Sequence, residues 1–236
     1  MNLIQFVRGY LGYYALPSHR DKWGGPFNGQ EGRCRIFAEL INKAGITAIV
    51  ETGSYKGVST DYMHRQTDLP IYSVENHARY YGYTHARLGG RRNVHLYFED
   101  CRSFLRHISP ELLGTGNTVL FYLDAHWHTD LPLADELQIV FSQMGSALVM
   151  IDDFAVPGDI GYGYDDYGPN KQLTVEYIAS SVRQFDLQAF FPALTSQEET
   201  GSKRGCVVLA KTPSMVLALE QCVSLWGFRD GDPKRA

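Results

Sequence analysis

The feature that most constrains this chain is a repeated unit: a short apolar run, a polar turn, then a segment with helical spacing. Ile46–Glu51, Ile71–Glu75, Val94–Phe98, Val119–Asp124 and Ala147–Asp152 are such runs. Between them, Val58–Gln66, Ala78–Leu88, Arg102–Ile108 and Leu133–Met144 read as helices. Continuous apolar runs separated by helices predict strands buried on both faces of a parallel sheet. The rhythm breaks after residue 152. Phe185–Phe191 and Cys206–Lys211 read as strands, and the loop between them has no room for a crossover helix, so they must be antiparallel. Met215–Trp226 reads as a closing helix, Glu31–Ala44 as an amphipathic helix, and Tyr10–Gly32 as an irregular stretch rich in Gly, Pro and aromatics. The expected fold class is α/β: one mostly parallel, seven-stranded sheet with one antiparallel strand near the edge and helices on both faces. Residues 1–45 are expected to form a helical, aromatic extension, a cap or dimer contact, on a single domain spanning 46–236.

Composition narrows the function. The 236 residues are 44% apolar and 20% charged, which excludes a disordered chain. A net charge of −4 gives no basic footprint for nucleic acid. No apolar run reaches membrane-spanning length, and Met1–Gln5 lacks the basic region of a signal peptide. Cys34, Cys101, Cys206 and Cys222 follow no metal or redox spacing, and free thiols fit a reducing cytoplasmic setting. Many of the 15 tyrosines fall in Gly-rich segments, where they are better placed to line a site than to fill a core.

In an open parallel sheet, ligands bind beyond the carboxyl ends of the strands. Those ends carry Glu51-Thr-Gly53-Ser54-Tyr55-Lys-Gly57-Val-Ser59, then Glu75, then Glu99-Asp100-Cys101, then Asp124-Ala-His126-Trp-His128, then Asp152-Asp153. The Gly53–Gly57 turn lets backbone approach a ligand at the start of a helix, or serves only as a tight connection. Glu75 follows Gly53 by 22 residues, near the spacing at which an acidic residue takes both ribose hydroxyls. Tyr55 occupies the second glycine position of a dinucleotide turn, leaving little space for phosphates. A nucleoside ligand fits better.

These motifs resemble the class I S-adenosylmethionine-dependent methyltransferases, and among them the Mg²⁺-dependent small-molecule O-methyltransferases grouped with macrocin O-methyltransferase and the cephalosporin hydroxylases. The resemblance rests on Glu51–Ser59, Tyr122–His126 and Met150–Phe154. It implies a Rossmann-like methyltransferase fold and O-methyl transfer to a small-molecule hydroxyl, a sugar or natural-product glycoside, in natural-product biosynthesis. By that resemblance Glu51, Gly53, Ser54, Tyr55 and Ser59 meet the cofactor, Glu75 holds its ribose, and Asp100 and Cys101 flank its adenine. Asp124, Asp152 and Asp153 would hold Mg²⁺, and His126 stands where several relatives carry a carboxylate general base.

The residue chemistry agrees. Converging carboxylates repel one another without a cation, and oxygen ligands suit Mg²⁺. A metal-bound hydroxyl loses its proton more easily, and a nearby His can accept it. Two alternatives stand beside this reading at the metal. Asp152 and Asp124 could be structural, or Asp124, His126 and His128 could bind Zn²⁺ or iron. Two alternatives also stand for the whole chain: an NAD-dependent oxidoreductase and a non-catalytic nucleoside-binding scaffold. The segments 156–168 and 195–205 are expected to form a lid without packed partners. In it Tyr162, Tyr164 and Tyr167, with His128 nearby, contact the acceptor, and Arg204 meets an anionic group. Tyr10, Tyr13, Tyr14, Trp23 and Phe27 are expected to close the site or to make a homodimer contact.

Overall fold

The computed structural model describes residues 1–20, 24–112, 117–126 and 130–228. Five parallel strands form in the order of the apolar runs: β1 (Ala48–Thr52), β2 (Ile71–Val74), β3 (Val94–Tyr97), β4 (Val119–Leu123) and β5 (Ala147–Ile151). They are followed by β6 (Gln188–Pro192), β7 (Val207–Ala210) and β8 (Leu225–Phe228). The sheet order is β3-β2-β1-β4-β5-β7-β6-β8. Strand β7 runs against both β5 and β6, as expected, and β8 runs against β6.

The sheet thus has eight strands, not seven, and two are reversed. The segment expected to be one closing helix divides into α8 (Pro213–Glu220), capped by Thr212 on the Met215 N–H, and β8. Phe191 packs on Trp226 and Phe228 at 5.6 Å between ring centroids. Tertiary packing therefore overrides the apolar spacing that reads as helix at Leu225–Trp226.

The helices α2 (Glu31–Lys43), α3 (Val58–Gln66), α4 (Ala78–Leu88), α5 (Cys101–Leu112), α6 (Leu133–Gln143) and α7 (Val175–Phe185) cover both faces. Strand periodicity sorts the core into two layers. Ile49, Leu120 and Leu148 point to the side with Phe37, Leu40 and Leu219. Val50, Phe121 and Val149 point to the side with Phe104, Leu137 and Ile178. Each such fully buried side chain contributes roughly 1.5–3 kcal/mol.

The stretch from Tyr10 is more regular at its start than expected. Residues Leu3–Ala15 form α1, capped by the Asn2 side chain on the Gln5 N–H at 3.2 Å. It lies on α4: Phe6 meets Tyr81 at 5.9 Å, and Tyr13 meets Tyr83 edge-on at 5.4 Å. Phe27 leaves the surface entirely and packs between Phe37 and Tyr122. Trp23 lies outside the described residues. Among the described residues no helix is long and apolar enough to cross a membrane.

Candidate active site

The strand order runs outward in opposite senses from the parallel neighbours β1 and β4, so the crevice beyond their carboxyl ends is the topological switch point. Gly53 closes β1 there with φ +83, and a Cβ on it would lie 2.3 Å from the Asp124 carbonyl oxygen. Glycine is required on both counts. The first turn and the end of β4 are therefore in direct contact, which brings the Gly53–Gly57 turn beside the carboxylates that follow β4 and β5.

Glu75 follows β2 and is buried; its Oε2 accepts the Tyr55 N–H and its Oε1 accepts the His77 N–H, both at 2.8 Å. Burial pushes its carboxyl up to about 7, against the lowering effect of those N–H groups. Tyr55 holds φ +48, an unfavourable region for a side chain, costing roughly 1–2 kcal/mol. The other expected cofactor residues differ in what they touch. Ser54 is buried in the turn, its carbonyl accepting the Gly57 N–H at 2.7 Å. Glu51 is fully buried, where its Oε2 accepts the Thr60 and Ser73 hydroxyls. Ser59 Oγ accepts the Phe27 N–H at 3.1 Å and so anchors the N-terminal segment. Asp100 precedes α5 and accepts the Arg102 N–H at 2.9 Å, while the Arg102 guanidinium holds its carboxyl below the usual range. Cys101 is buried at the first turn of α5, and burial pushes its thiol up.

The metal set takes a different form from the expected one. One ligand atom each from Asp124, His126 and Asp153 lies within 4.8 Å of the others. Asp152 does not join them. It is buried in a salt bridge with Arg33 of α2, accepts the Tyr122 hydroxyl, and accepts the Asp153 N–H at 2.7 Å. Asp153 turns out of the strand with φ +50, which separates the two neighbouring carboxylates. His126 is buried, and among the described residues neither ring nitrogen makes a hydrogen bond. Burial lowers its pKa, keeping the imidazole neutral near pH 7. Desolvation, then the charge of Asp153, hold the Asp124 carboxyl well above its ordinary range. Two carboxylates and an orphaned neutral imidazole fit a divalent cation, which would relieve both the repulsion and the missing hydrogen bonds.

Arg204 answers part of this charge. Its Nε donates to Asp153 at 2.8 Å, and its guanidinium also pairs with Asp165. It is engaged by carboxylates rather than free for an anion. Tyr167 donates its hydroxyl to Asp165 and, at 3.3 Å, to the His126 carbonyl, which places it at the cluster. Tyr162 is buried, with its hydroxyl on the Leu194 carbonyl at 2.9 Å, so it belongs to the core rather than to an acceptor surface. Tyr164 is exposed. His128 lies outside the described residues.

The two loops have packed partners, contrary to expectation. Asp159 accepts the Ser196 N–H at 2.7 Å and joins one loop to the other. Glu199 accepts the Gly32 N–H at 3.0 Å, and Gly163 N–H donates to the Lys203 carbonyl at 2.9 Å. Sequence reading gave no role to Arg33, Tyr122 and Asp165, nor to Asn28, whose side-chain amide donates to Asp153 Oδ1 at 3.4 Å. Arg33 had a signal: it sits three residues before Ile36 on the apolar face of its helix, where a charge needs a buried partner.

The methyltransferase domain of bacterial CtHen1 superposes with a TM-score of 0.54 at 11% identity, covering 76% of this chain and 98% of that one. A candidate O-methyltransferase from Klebsiella pneumoniae gives 0.51 at 16% identity, covering 88% and 90%. An O-methyltransferase from Bacillus cereus, solved in complex with SAH, gives 0.50 at 13% identity, covering 76% and 81%. This is the Rossmann-like methyltransferase fold. No family model and no curated protein matches the sequence. In the methyltransferase fold the crevice described above is the one that the strand order leaves open, and the Asp124-His126-Asp153 cluster stands at its edge.

Proposed function

We propose that this chain is an S-adenosylmethionine-dependent O-methyltransferase, assisted by a divalent cation, that methylates a hydroxyl of a small molecule. The observation that carries the reading is the approach of Asp124, His126 and Asp153 to within 4.8 Å, beside the Gly53 turn of a methyltransferase fold. A sugar or natural-product glycoside remains the acceptor class favoured by the sequence resemblance.

S-adenosylmethionine supplies an electrophilic methyl group, and Mg²⁺ lowers the pKa of a hydroxyl that it binds. The chain's own residues do the rest. Glu75 is already aligned by the Tyr55 and His77 N–H groups, and its remaining lone pairs can accept ribose hydroxyls. Gly53 keeps the turn free of a side chain where it meets β4. Asp124 and Asp153 would hold the cation, with His126 giving a third, nitrogen ligand. Arg204 neutralises the outer side of Asp153 and Asp165, which limits the net negative charge of the cluster. Positioning of the two reactants then supplies much of the acceleration.

His126 also fits the role of proton acceptor, because its ring is neutral and makes no hydrogen bond among the described residues. One experiment tests the reading. Purified protein is titrated with S-adenosylhomocysteine by calorimetry, then assayed against a panel of hydroxyl acceptors with and without a chelator. Binding of the nucleoside together with chelator-sensitive methyl transfer is expected. Absence of nucleoside binding by a folded protein sinks the proposal.

A further inference from the structure

Two consecutive residues ahead of α2, Phe27 and Asn28, hold left-handed backbone at φ +48 and +61. A residue with a Cβ avoids this region, and a strained conformation persists only where its surroundings fix it. Here they do. The Phe27 ring is buried against Phe37, Tyr62 and Tyr122, and its N–H donates to Ser59 Oγ at 3.1 Å. The Asn28 carbonyl accepts the Ser202 N–H at 3.0 Å. The Gln30 side chain brackets Arg204, donating to its carbonyl at 2.8 Å and accepting its N–H at 2.7 Å. A Cβ at Gly201 would lie 2.3 Å from the Asn28 carbonyl oxygen, so this turn and the 195–205 loop meet backbone to backbone.

The turn presents the Asn28 carboxamide to the cluster. Its Nδ2 donates to Asp153 Oδ1 at 3.4 Å, and the same oxygen accepts Arg204 Nε at 2.8 Å. Among the described residues no hydrogen bond reaches Asp153 Oδ2. Ligand atoms of Asp153 and Asp124 lie within 4.8 Å of each other, and carboxylates that close repel. Unrestrained, the Asp153 side chain would turn away from Asp124. Two donors on one oxygen oppose that rotation. They differ in charge. Arg204 offsets negative charge that attracts a cation, whereas the neutral Asn28 amide directs the carboxylate and leaves its charge in place.

We propose that Asn28 is a positioning residue of the cation site: its carboxamide holds the Asp153 carboxylate ready for coordination, from a turn that lies outside the sheet. The inference rests on reading the Asp124-His126-Asp153 cluster as a cation site. Asparagine suits both tasks, because its short polar side chain tolerates left-handed backbone and carries an uncharged donor. The coupling acts both ways: a cation that holds Asp153 also holds the Asn28 turn, and through it the segment leading into α2.

Asn28→Gly separates the carboxamide from the backbone, because glycine adopts positive φ without steric strain. The variant should fold, with an unfolding temperature near that of the parent. Titrated by calorimetry with Mn²⁺ as probe, the full chain should lose about 10–100-fold in affinity on Asn28→Gly, the usual effect of removing a group that orients a metal ligand. Mn²⁺ should also slow amide hydrogen exchange over residues 26–30 in the parent and not in the variant, a response that a purely structural turn would not give. Unchanged Mn²⁺ affinity in folded Asn28→Gly overturns the proposal. So does exchange over 26–30 in the parent that is indifferent to Mn²⁺, a measurement that needs no variant. A parent protein that binds no divalent cation removes the cation reading and this inference together, whereas equal binding by parent and variant removes the inference alone.

Discussion

Arg33 of α2 is buried against Asp152 at the end of β5, and this pair joins α2 to the sheet beside the candidate metal cluster. The same guanidinium donates to the Gly205 carbonyl at 2.9 Å, so one side chain fastens α2, β5 and the loop before β7. Removing one partner leaves the other charge buried and uncompensated. Arg33→Met should therefore cost about 3–5 kcal/mol in chemical denaturation, and adding Asp152→Asn should recover part of it. If the fold survives in Asp152→Asn, its metal affinity should stay near that of the parent protein. Loss of metal from a folded Asp152→Asn protein would return Asp152 to the ligand set.

On the proposed reading, Glu75 links nucleoside binding to pH. Its native carboxyl titrates near 7, because burial outweighs the N–H groups that favour its charge. Ribose hydroxyls donate to the ionised form, so affinity for S-adenosylhomocysteine should rise with pH up to about 7 and then level off. Below 7 the slope should approach, at most, about tenfold per pH unit. The stability effect has the opposite sign. A raised native pKa gives stability that is present below the ordinary Glu range and lost as pH rises through about 7. Calorimetry from pH 5.5 to 8.5 checks the binding limb, and Glu75→Gln should flatten it. An unchanged profile in Glu75→Gln would assign the titration elsewhere.

The contact of α1 with α4 is set by small residues. A Cβ at Gly82 would lie 2.1 Å from the Phe6 carbonyl oxygen, while one at Gly12 meets nothing within 4 Å. Gly82→Ala should cost roughly 1–3 kcal/mol through overpacking and should raise hydrogen exchange along α1. Gly12→Ala should be neutral, or stabilising by about 0.5–1 kcal/mol, because alanine favours the helix. Equal effects from the two substitutions would show that α1 does not dock as described.

Much of this arrangement was legible in the sequence because it follows from local rules. Each of β1–β5 lies where an apolar run ends in a polar residue, and Gly53 marks the first turn because only glycine suits that backbone. The reversed β7 followed from a loop too short for a crossover. What was not legible depends on tertiary partners. Leu225–Phe228 has apolar spacing compatible with a helix and becomes a strand because β6 has a free edge. Asp152 and Asp153 are chemically identical neighbours. The left-handed turn at Asp153 and the burial of Arg33 send one into a salt bridge and the other to the cluster. Tyr162 and Tyr167 likewise share one Gly-rich loop, yet only the second reaches the cluster.

The last prediction separates the two roles open to His126. Its imidazole is buried, neutral and without a hydrogen bond among the described residues, within 4.8 Å of Asp124 and Asp153. As a metal ligand it supplies affinity, so His126→Ala should weaken Mg²⁺ or Mn²⁺ binding, measured by calorimetry, in step with Asp124→Ala and Asp153→Ala. Nucleoside affinity should change little in all three, because the proposed reading assigns that ligand to Glu75 and its turn, which do not use these side chains. As a proton acceptor, His126→Ala would instead keep the metal and lose about 10²–10⁴-fold in turnover. Burial lowers the His126 pKa, so an ascending limb due to it would lie below the ordinary His range of about 6.5. The cluster geometry favours the ligand role. Retained metal affinity in His126→Ala, with the low-pH limb abolished, would assign the base role and leave the cation to the two carboxylates. Retained affinity in Asp124→Ala and Asp153→Ala as well would remove the cation from this site altogether.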